Sequence, residues 1–264
     1  MRRSCLSLGC RSRRDRRCRR VARVALAATA LLLALPALLR AQEKREPPLF
    51  VGETLRYAMT ILGVAGGELT LSALATELDG RPAYKFELSA LSNDFLSKFF
   101  LVRDTMVSWI DPKSFRSLRF EKHTIEGKRA RDELTEFDYE RGIARHDGKE
   151  VSLGDASLDS LSSVYYLRTL GLEGDKPIDL QVFSGERQAL RVEIQKRETI
   201  KTPAGTFETI RVEPKSAGGH LLGKNLVLWL TDDARKIPVQ LSSKLKVGKL
   251  VGKLKAIERN EPLR

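Results

Sequence analysis

The first candidate for chemistry is a segment rich in glycine, residues 218–225 (GGHLLGKN), which has the spacing of a phosphate-binding loop. Such a loop needs a serine or threonine hydroxyl after the lysine to hold Mg²⁺, and it must open a helix whose N-terminus faces the phosphates. Here Asn225 occupies the hydroxyl position, and the residues that follow (LVLWL) are typical of a strand. The segment is therefore predicted to be a glycine-rich hairpin and not a nucleotide site.

Histidine, cysteine and serine give no catalytic or metal-binding pattern. His123, His146 and His220 are far apart in the sequence, and no acidic residue stands with them in a metal-ligand or catalytic-triad spacing. The three cysteines all precede residue 19, and there is no Gly-x-Ser-x-Gly motif. We therefore predict no catalytic residue, no metal site and no cofactor, and we interpret the histidines as isolated surface residues.

A glycan-cleaving enzyme would need two converging carboxylates. The candidates are Asp104, Asp111, Asp138, Asp232 and Asp233. Asp232 and Asp233 are adjacent and stand in a segment with turn composition, and adjacent residues on an extended chain point to opposite faces. No converging pair can be named, so the chain is predicted not to be an enzyme.

The most suggestive residues are a run of lysines near the C-terminus. They are Lys244, Lys246, Lys249, Lys253 and Lys255. If Gly248 forms a β-bulge, the alternation shifts by one residue and these lysines share one face of the sheet. Such a stripe would match the phosphates of anionic lipid headgroups or of lipopolysaccharide. The simpler alternative is that exposed lysines protect an edge strand from pairing with other chains.

The N-terminal segment accounts for most of the positive charge. Eleven arginines and one aspartate give residues 1–41 a net charge of +10, out of +13 for the whole chain. An arginine-rich stretch, an apolar run and the small residue Ala41 follow one another in the order of a signal peptide. We therefore expect residues 1–41 to be a signal peptide cleaved after Ala41, with export to the periplasm of a Gram-negative-type bacterium and no nucleic-acid partner. The alternative is an uncleaved anchor helix, although the apolar run is shorter than the roughly 20 residues that span a bilayer.

The rest of the chain has the pattern of a β protein. Residues 42–49 form a short polar lead-in, and residues 50–264 contain no linker, which predicts a single β-rich domain. Strict alternation of apolar and polar residues predicts strands over residues 54–61, 68–73, 84–90, 190–195 and 207–212. Residues 202–205 (TPAG) should join the last two strands as a hairpin, and the strand at residues 226–230 is apolar on both faces.

Two segments have helical spacing instead. In residues 93–100 the aromatic side chains Phe95, Phe99 and Phe100 follow an Asn/Asp cap, and in residues 155–170 apolar residues line one face after Asp155 or Ser157. The predicted fold class is mainly β, a single curled antiparallel sheet or barrel-like domain with two short helices, because long flat sheets leave their edges exposed. Four aromatic residues are expected in its core, namely Tyr57, Tyr84, Phe86 and Phe120.

Longer motifs give the chain a family resemblance. They are residues 50–57 (FVGETLRY), Arg103-Asp104 with Ser108, residues 159–168 (DSLSSVYYLR), residues 202–207 (TPAGTF) and residues 228–239 (LWLTDDARKIPV). In this order they resemble the bacterial domain-of-unknown-function family DUF 3108. The resemblance implies an exported, single-domain β protein and brings no established activity. No catalytic residue is carried over, and the matched positions suit a fold signature better than an active site.

Three functions stay open at this point. The first is a non-catalytic periplasmic or cell-envelope protein that binds an envelope component such as lipid or lipopolysaccharide, with an acyl chain inside the curled sheet and the lysines at the phosphates. The second is a structural or adaptor module that docks another envelope protein through a sheet edge or through Phe95, Phe99 and Phe100. The third, a cell-wall glycan-acting enzyme, is the least favoured. The sequence predicts no oligomeric state.

Overall fold

The computed structural model describes residues 48–172, 174, 176–216, 225–245 and 248–259, and of Leu245 only the backbone. The predicted signal peptide, most of the polar lead-in, the glycine-rich segment up to Lys224, His220 and Lys246 lie outside the described residues. From residue 48 onward the described chain belongs to one compact unit.

Alternation along the chain produces one sheet of fifteen strands in the described part. The strands are β1 Glu53–Ile61, β2 Val64–Leu78, β3 Arg81–Ser92, β4 Val102–Ile110, β5 Ser117–Glu126, β6 Arg129–Asp138, β7 Ile143–His146, β8 Lys149–Ser152, β9 Leu158–Asp159, β10 Ile178–Phe183, β11 Arg187–Thr202, β12 Gly205–Ser216, β13 Val227–Thr231, β14 Pro238–Leu245 and β15 Gly248–Arg259. Helix α1, Asp94–Ser97, follows β3, and helix α2, Ser160–Leu167, follows β9. The prediction of a mainly β fold with two short helices is confirmed.

The order of the strands in the sheet is β8-β7-β6-β5-β4-β3-β2-β1-β15-β14-β13-β12-β11-β10-β9. Nearly all neighbours are antiparallel, as expected for short connections, but β9 pairs parallel to β10. The predicted hairpin at residues 202–205 joins β11 to β12, and β13 is buried on both faces, as its sequence predicts. The four aromatic residues assigned to the core are buried.

The sheet curls until its two ends face each other without closing. The segment between β8 and β9 crosses the gap, where the Ser117 amide donates to the Ser157 carbonyl at 2.9 Å and the Tyr139 hydroxyl contacts the same carbonyl at 3.2 Å. Phe183 of β10 packs edge-on against Phe137 of β6, with ring centroids 5.9 Å apart. Contacts of the β8–β9 segment and of side chains on β6 and β10 therefore bridge the two ends of the sheet, whose described edge strands β8 and β9 do not pair with each other.

Helix α2 lies inside the curled sheet. The Tyr165 ring stacks on Phe86 with centroids 4.0 Å apart, and its hydroxyl donates to the Ser72 carbonyl at 3.0 Å. Leu161 and Leu167 are buried in two different hydrophobic clusters, so the helix contacts the sheet on more than one side. The interior position that the sequence suggested for an acyl chain is therefore occupied by α2.

The start of α2 differs from the sequence prediction. The cap is Asp159 and not Asp155 or Ser157, because the Asp159 carboxylate accepts the amides of Leu161 and Ser162, both at 2.9 Å. Leu158 and Asp159 are extended because they pair with β10, so the helical spacing before residue 160 is not used. The Ser162 hydroxyl completes the capping box by accepting the Asp159 amide at 2.8 Å.

Candidate functional site

Antiparallel pairing brings four connections to one end of the barrel-like sheet: β1–β2, β3–β4, β5–β6 and β14–β15. Large apolar side chains are exposed at this end, with between 47% and 77% of their surface open to solvent. We call them the apolar rim, which consists of Leu62, Val64, Leu91, Phe95, Phe99 and Phe100. Exposed apolar residues that gather at one end of a domain make this end the candidate interaction surface.

Local structure holds the rim in place. Asn93 caps α1 by accepting the Leu96 amide at 2.8 Å, and its side-chain amide donates to the Ala65 carbonyl at 2.9 Å, which ties α1 to the β1–β2 turn. Phe95 and Phe99 pack edge-on with ring centroids 5.6 Å apart. Phe100 lies over Gly127, whose left-handed backbone (φ 62°) favours glycine in the β5–β6 turn and where a Cβ would stand 3.0 Å from the ring.

The lysines adjoin the rim. Lys244 of β14 and Lys249 of β15 face each other as cross-strand partners, and Lys253 lies on the same face opposite Gln240. The link to the rim is direct, since the Leu62 amide donates to the Lys249 carbonyl at 3.1 Å. The structure thus places two sets of residues that the sequence treated separately, the phenylalanines and the first lysines, at the same end of the molecule.

Two predictions about the lysines are wrong. Gly248 does not bulge a continuous strand, because the chain reverses between Leu245 and Gly248 and forms a hairpin. The lysines do not protect an edge either, since β14 and β15 are both paired on two sides and the sheet ends at β8 and β9. A like-charged pair directly opposite each other in the middle of a sheet is destabilising, so Lys244 and Lys249 need another explanation.

The remaining lysines of the run are engaged differently. Lys255 forms an ion pair with Glu68 at 3.0 Å, and Lys253 donates to the Lys201 carbonyl at 3.3 Å. Lys246 lies outside the described residues. Headgroup binding by these three lysines stays a prediction, and Lys244 and Lys249 are the better candidates.

Other cations gather around the apolar rim. Together with Lys244 and Lys249 they are Lys98, Arg103, Lys128 and Arg129, and all six are exposed. Most arginines and lysines elsewhere on the domain form ion pairs, but these six form none with the described acidic residues. Three carboxylates, Asp94, Asp104 and Glu126, lie among them, so the end keeps an excess of positive charge.

Asp104 is the titrating group of this end. Burial raises the pKa of its carboxyl to about 6, and Glu126 adds to the effect, although the Ile125 amide donates to the carboxylate at 3.1 Å. Its pKa in the folded protein therefore lies above the value of about 4 expected when the chain is unfolded. The folded state holds this proton up to about pH 6, whereas the unfolded state releases it near pH 4.

This difference predicts a pH dependence of stability. The free energy of unfolding should be highest below about pH 4 as far as Asp104 contributes, and should fall as the pH rises towards about 6. We expect Asp104→Asn to remove this slope and to leave the protein about 1–2 kcal/mol more stable than the parent at pH 7, after allowance for partial solvent exposure. Urea unfolding at several pH values would measure it, and an unchanged slope in the variant would contradict the assignment.

The other sequence candidates are held apart. His123 is exposed and contacts Asp132 at 2.8 Å, whereas His146 is half-buried against the Phe183 ring and is not the surface residue that was predicted. Asp232 pairs with Arg197, and Asp233 accepts hydrogen bonds within the β13–β14 turn. Among the residues that the structure describes, no group of histidine, cysteine or acidic side chains could hold a metal ion. In that same part of the chain, no helix is long and apolar enough to cross a membrane.

Several motif positions converge on α2. Ser108 and Ser117 donate to the Asp159 carboxylate, the second at 2.6 Å, and Arg168 forms a buried ion pair with Glu53. Burial raises the pKa of Asp159, and the hydrogen bonds from Ser108 and Ser117 oppose that shift. These polar groups are inaccessible to a substrate, and they hold the helix in the sheet.

The fold is that of a β-barrel-like protein. Among solved structures, the crystal structure of a beta-barrel-like protein of the domain of unknown function DUF1849 from Brucella abortus is similar, with a TM-score of 0.58 and 11% identity over 79% of this chain and 98% of that chain. A Bacteroides fragilis protein with a YmcC-like fold covers 80% of this chain and 98% of its own at 12% identity, with a TM-score of 0.30. At such identities the likeness shows the fold alone. No curated protein matches the sequence.

The chain belongs to the family described as Protein of unknown function (DUF3108), whose model matches residues 56–255. This match confirms the family that the ordered motifs predict. Because no activity is attached to the family, the function has to be argued from the exposed surface of this chain.

Proposed function

We propose that this protein is a non-catalytic component of the bacterial cell envelope, exported to the periplasm, which binds an anionic lipid surface through its apolar rim. The observation that carries the proposal is the coincidence of six exposed apolar side chains with six cations that form no ion pair in the described structure. Apolar side chains enter the boundary between headgroups and acyl chains, and lysines around them are attracted to lipid phosphates.

The arrangement favours a lipid surface over an acyl-chain pocket. The described interior is filled around α2, whereas the rim is open and is surrounded by positive charge. Lys244 and Lys249 weaken the fold by standing opposite each other, and an anionic surface would relieve their repulsion. A protein partner on the rim would make the chain an adaptor, but it would not explain why two lysines face each other. The vesicle experiments therefore also test this alternative.

Co-sedimentation with vesicles tests the rim. The chain from Gln42 onward should bind phosphatidylglycerol-containing vesicles and should not bind phosphatidylcholine vesicles, and a parallel series with lipopolysaccharide distinguishes the two lipid sources. We expect Phe95→Ser/Phe99→Ser/Phe100→Ser to weaken binding at least about tenfold, because the variant loses the apolar surface that enters the membrane. The matched control is Leu74→Ser/Leu134→Ser, which changes exposed leucines away from the rim.

The charge contribution has its own pair of variants. Lys244→Glu/Lys249→Glu should weaken binding, while Lys201→Glu/Lys236→Glu makes the same change in net charge at the opposite end of the sheet and should leave binding unchanged. If both double variants weaken vesicle binding equally, the change in net charge explains the loss and the position of Lys244 and Lys249 does not. The lipid proposal is wrong if the parent chain binds neither phosphatidylglycerol nor lipopolysaccharide. If the serine variant then loses a protein partner that the parent binds, the rim is an adaptor surface.

A further inference from the structure

Asp104 lies where the inner face of the sheet meets the apolar rim. On β4 it shares a face with Met106 and Ser108, and this face is the inner one because Ser108 donates to the buried Asp159. Asp104 is two residues from the start of β4, which is about 7 Å along the strand. An apolar surface enters a lipid interface to a depth of roughly 5–10 Å, so attachment of the rim brings the Asp104 carboxyl group to the lipid boundary.

The cations on the inner face beside Asp104 are engaged with another carboxylate. Lys122 of β5 shares this face, and Arg131 of β6 lies in the same cross-strand row as Asp104. Both cations bind Glu133, at 3.2 Å and 3.1 Å. Asp104 therefore forms no ion pair with the residues that the structure describes, and its carboxylate accepts the Ile125 amide at 3.1 Å.

The other neighbours of Asp104 do not compensate its negative charge. On β3 the opposite residue is the uncharged Ala90, and on β5 the acidic Glu126 shares the inner face. Burial and Glu126 raise the pKa of the Asp104 carboxyl to about 6, although Lys122 opposes the shift. The exposed charged residues on the neighbouring elements are Asp94, Lys98, Arg103, Lys128 and Arg129.

We infer that protonation of Asp104 strengthens the attachment of the apolar rim to an anionic lipid surface, an inference that rests on the proposed function. Two effects have the same sign. The neutral carboxyl group no longer repels the lipid phosphates. It also loses less hydration when the rim enters the interface, because burying a charge costs more than burying a neutral group. Binding should therefore become tighter as the pH falls through about 6.

Co-sedimentation with phosphatidylglycerol-containing vesicles at pH 5 and at pH 7.5 tests the inference. The parent chain should bind roughly fivefold more tightly at pH 5, which is the effect of one charge near an anionic surface. Asp104→Asn keeps an oxygen for the Ile125 amide and should bind equally at both pH values, as tightly as the parent chain does at pH 5. If Asp104→Asn kept the pH dependence of the parent chain, the inference would be overturned.

Two control variants separate Asp104 from other groups. Asp94→Asn removes an exposed carboxylate from α1, so it should strengthen binding by a similar factor at both pH values and keep the pH dependence. His123→Gln removes a histidine on the outer face of β5 and should also keep it, whereas its loss there would overturn the inference. A parent chain that binds equally at both pH values contradicts this inference alone, and one that binds at neither contradicts the proposed function as well.

Discussion

Replacing Arg168 with methionine is expected to lower the free energy of unfolding by about 3–5 kcal/mol, because the Glu53 carboxylate is then buried without its counter-charge. Both side chains are only 1% exposed. Arg168 also donates to the Arg235 carbonyl at 3.1 Å, and its guanidinium lies 5.0 Å from the centre of the Phe50 ring. One oxygen of Glu53 already lacks a hydrogen-bond partner, so nothing else in the described structure would compensate its charge.

Urea unfolding followed by tryptophan fluorescence would measure this loss. The matched control is Arg56→Met, which breaks the ion pair between the half-exposed side chains of Arg56 and Glu258 and should lower the free energy of unfolding far less than Arg168→Met does. The double variant Glu53→Met/Arg168→Met removes both charges and should recover most of the stability, because a buried ion pair contributes little over apolar residues of similar size. A loss in Arg168→Met no larger than in Arg56→Met would contradict the expectation.

The ion pair fixes how α2 sits in the sheet. Arg168 follows the last turn of the helix and Glu53 begins β1, so the pair ties the end of the helix to a strand in the middle of the sheet. Asp159 ties the other end of the helix to β4 and β5 through Ser108 and Ser117. Polar contacts at both ends specify one orientation of a short helix that apolar packing alone would specify less well.

Local pattern was sufficient to predict several strands of this protein, and it failed where pairing is long-range. Alternation predicts β1, β2 and β3 because each has one buried and one exposed face. The alternation of apolar and polar residues did not distinguish a bulge at Gly248 from a hairpin, because both change which residues share a face of the sheet. It also could not place β15 beside β1, because that pairing joins the two ends of the domain. The mistaken edge strand follows from this missing contact.

The candidate surface was predictable only in part. Phe95, Phe99 and Phe100 are adjacent to a cap signal and outside any strand pattern, which is why the sequence singles them out. Leu62 and Leu91 gave no such signal, because a leucine at the end of a strand is ordinarily buried. Their exposure results from the way four connections meet at one end of the sheet, which depends on the whole topology.

Replacing Asp159 with alanine is the second change with a large expected effect, a loss of about 3–5 kcal/mol in the free energy of unfolding. The carboxylate accepts four hydrogen bonds, from the amides of Leu161 and Ser162 and from the hydroxyls of Ser108 and Ser117. All of these groups are buried, so alanine leaves the donors without partners and removes the helix cap at the same time.

Asp159→Asn separates the geometry of this cluster from its charge. Asparagine caps a helix about as well as aspartate, and its Nδ2 can donate to the serine hydroxyls, which rotate to accept. We therefore expect a loss of only about 1–2 kcal/mol, measured in the same urea titrations. Ser163→Ala serves as the control, because it removes a neighbouring buried hydroxyl that donates to the Ser160 carbonyl and does not contact Asp159 in the described structure. If asparagine destabilised the protein as much as alanine does, the negative charge itself would hold α2 in place, and the hydrogen-bonded cap would not explain the stability of the helix.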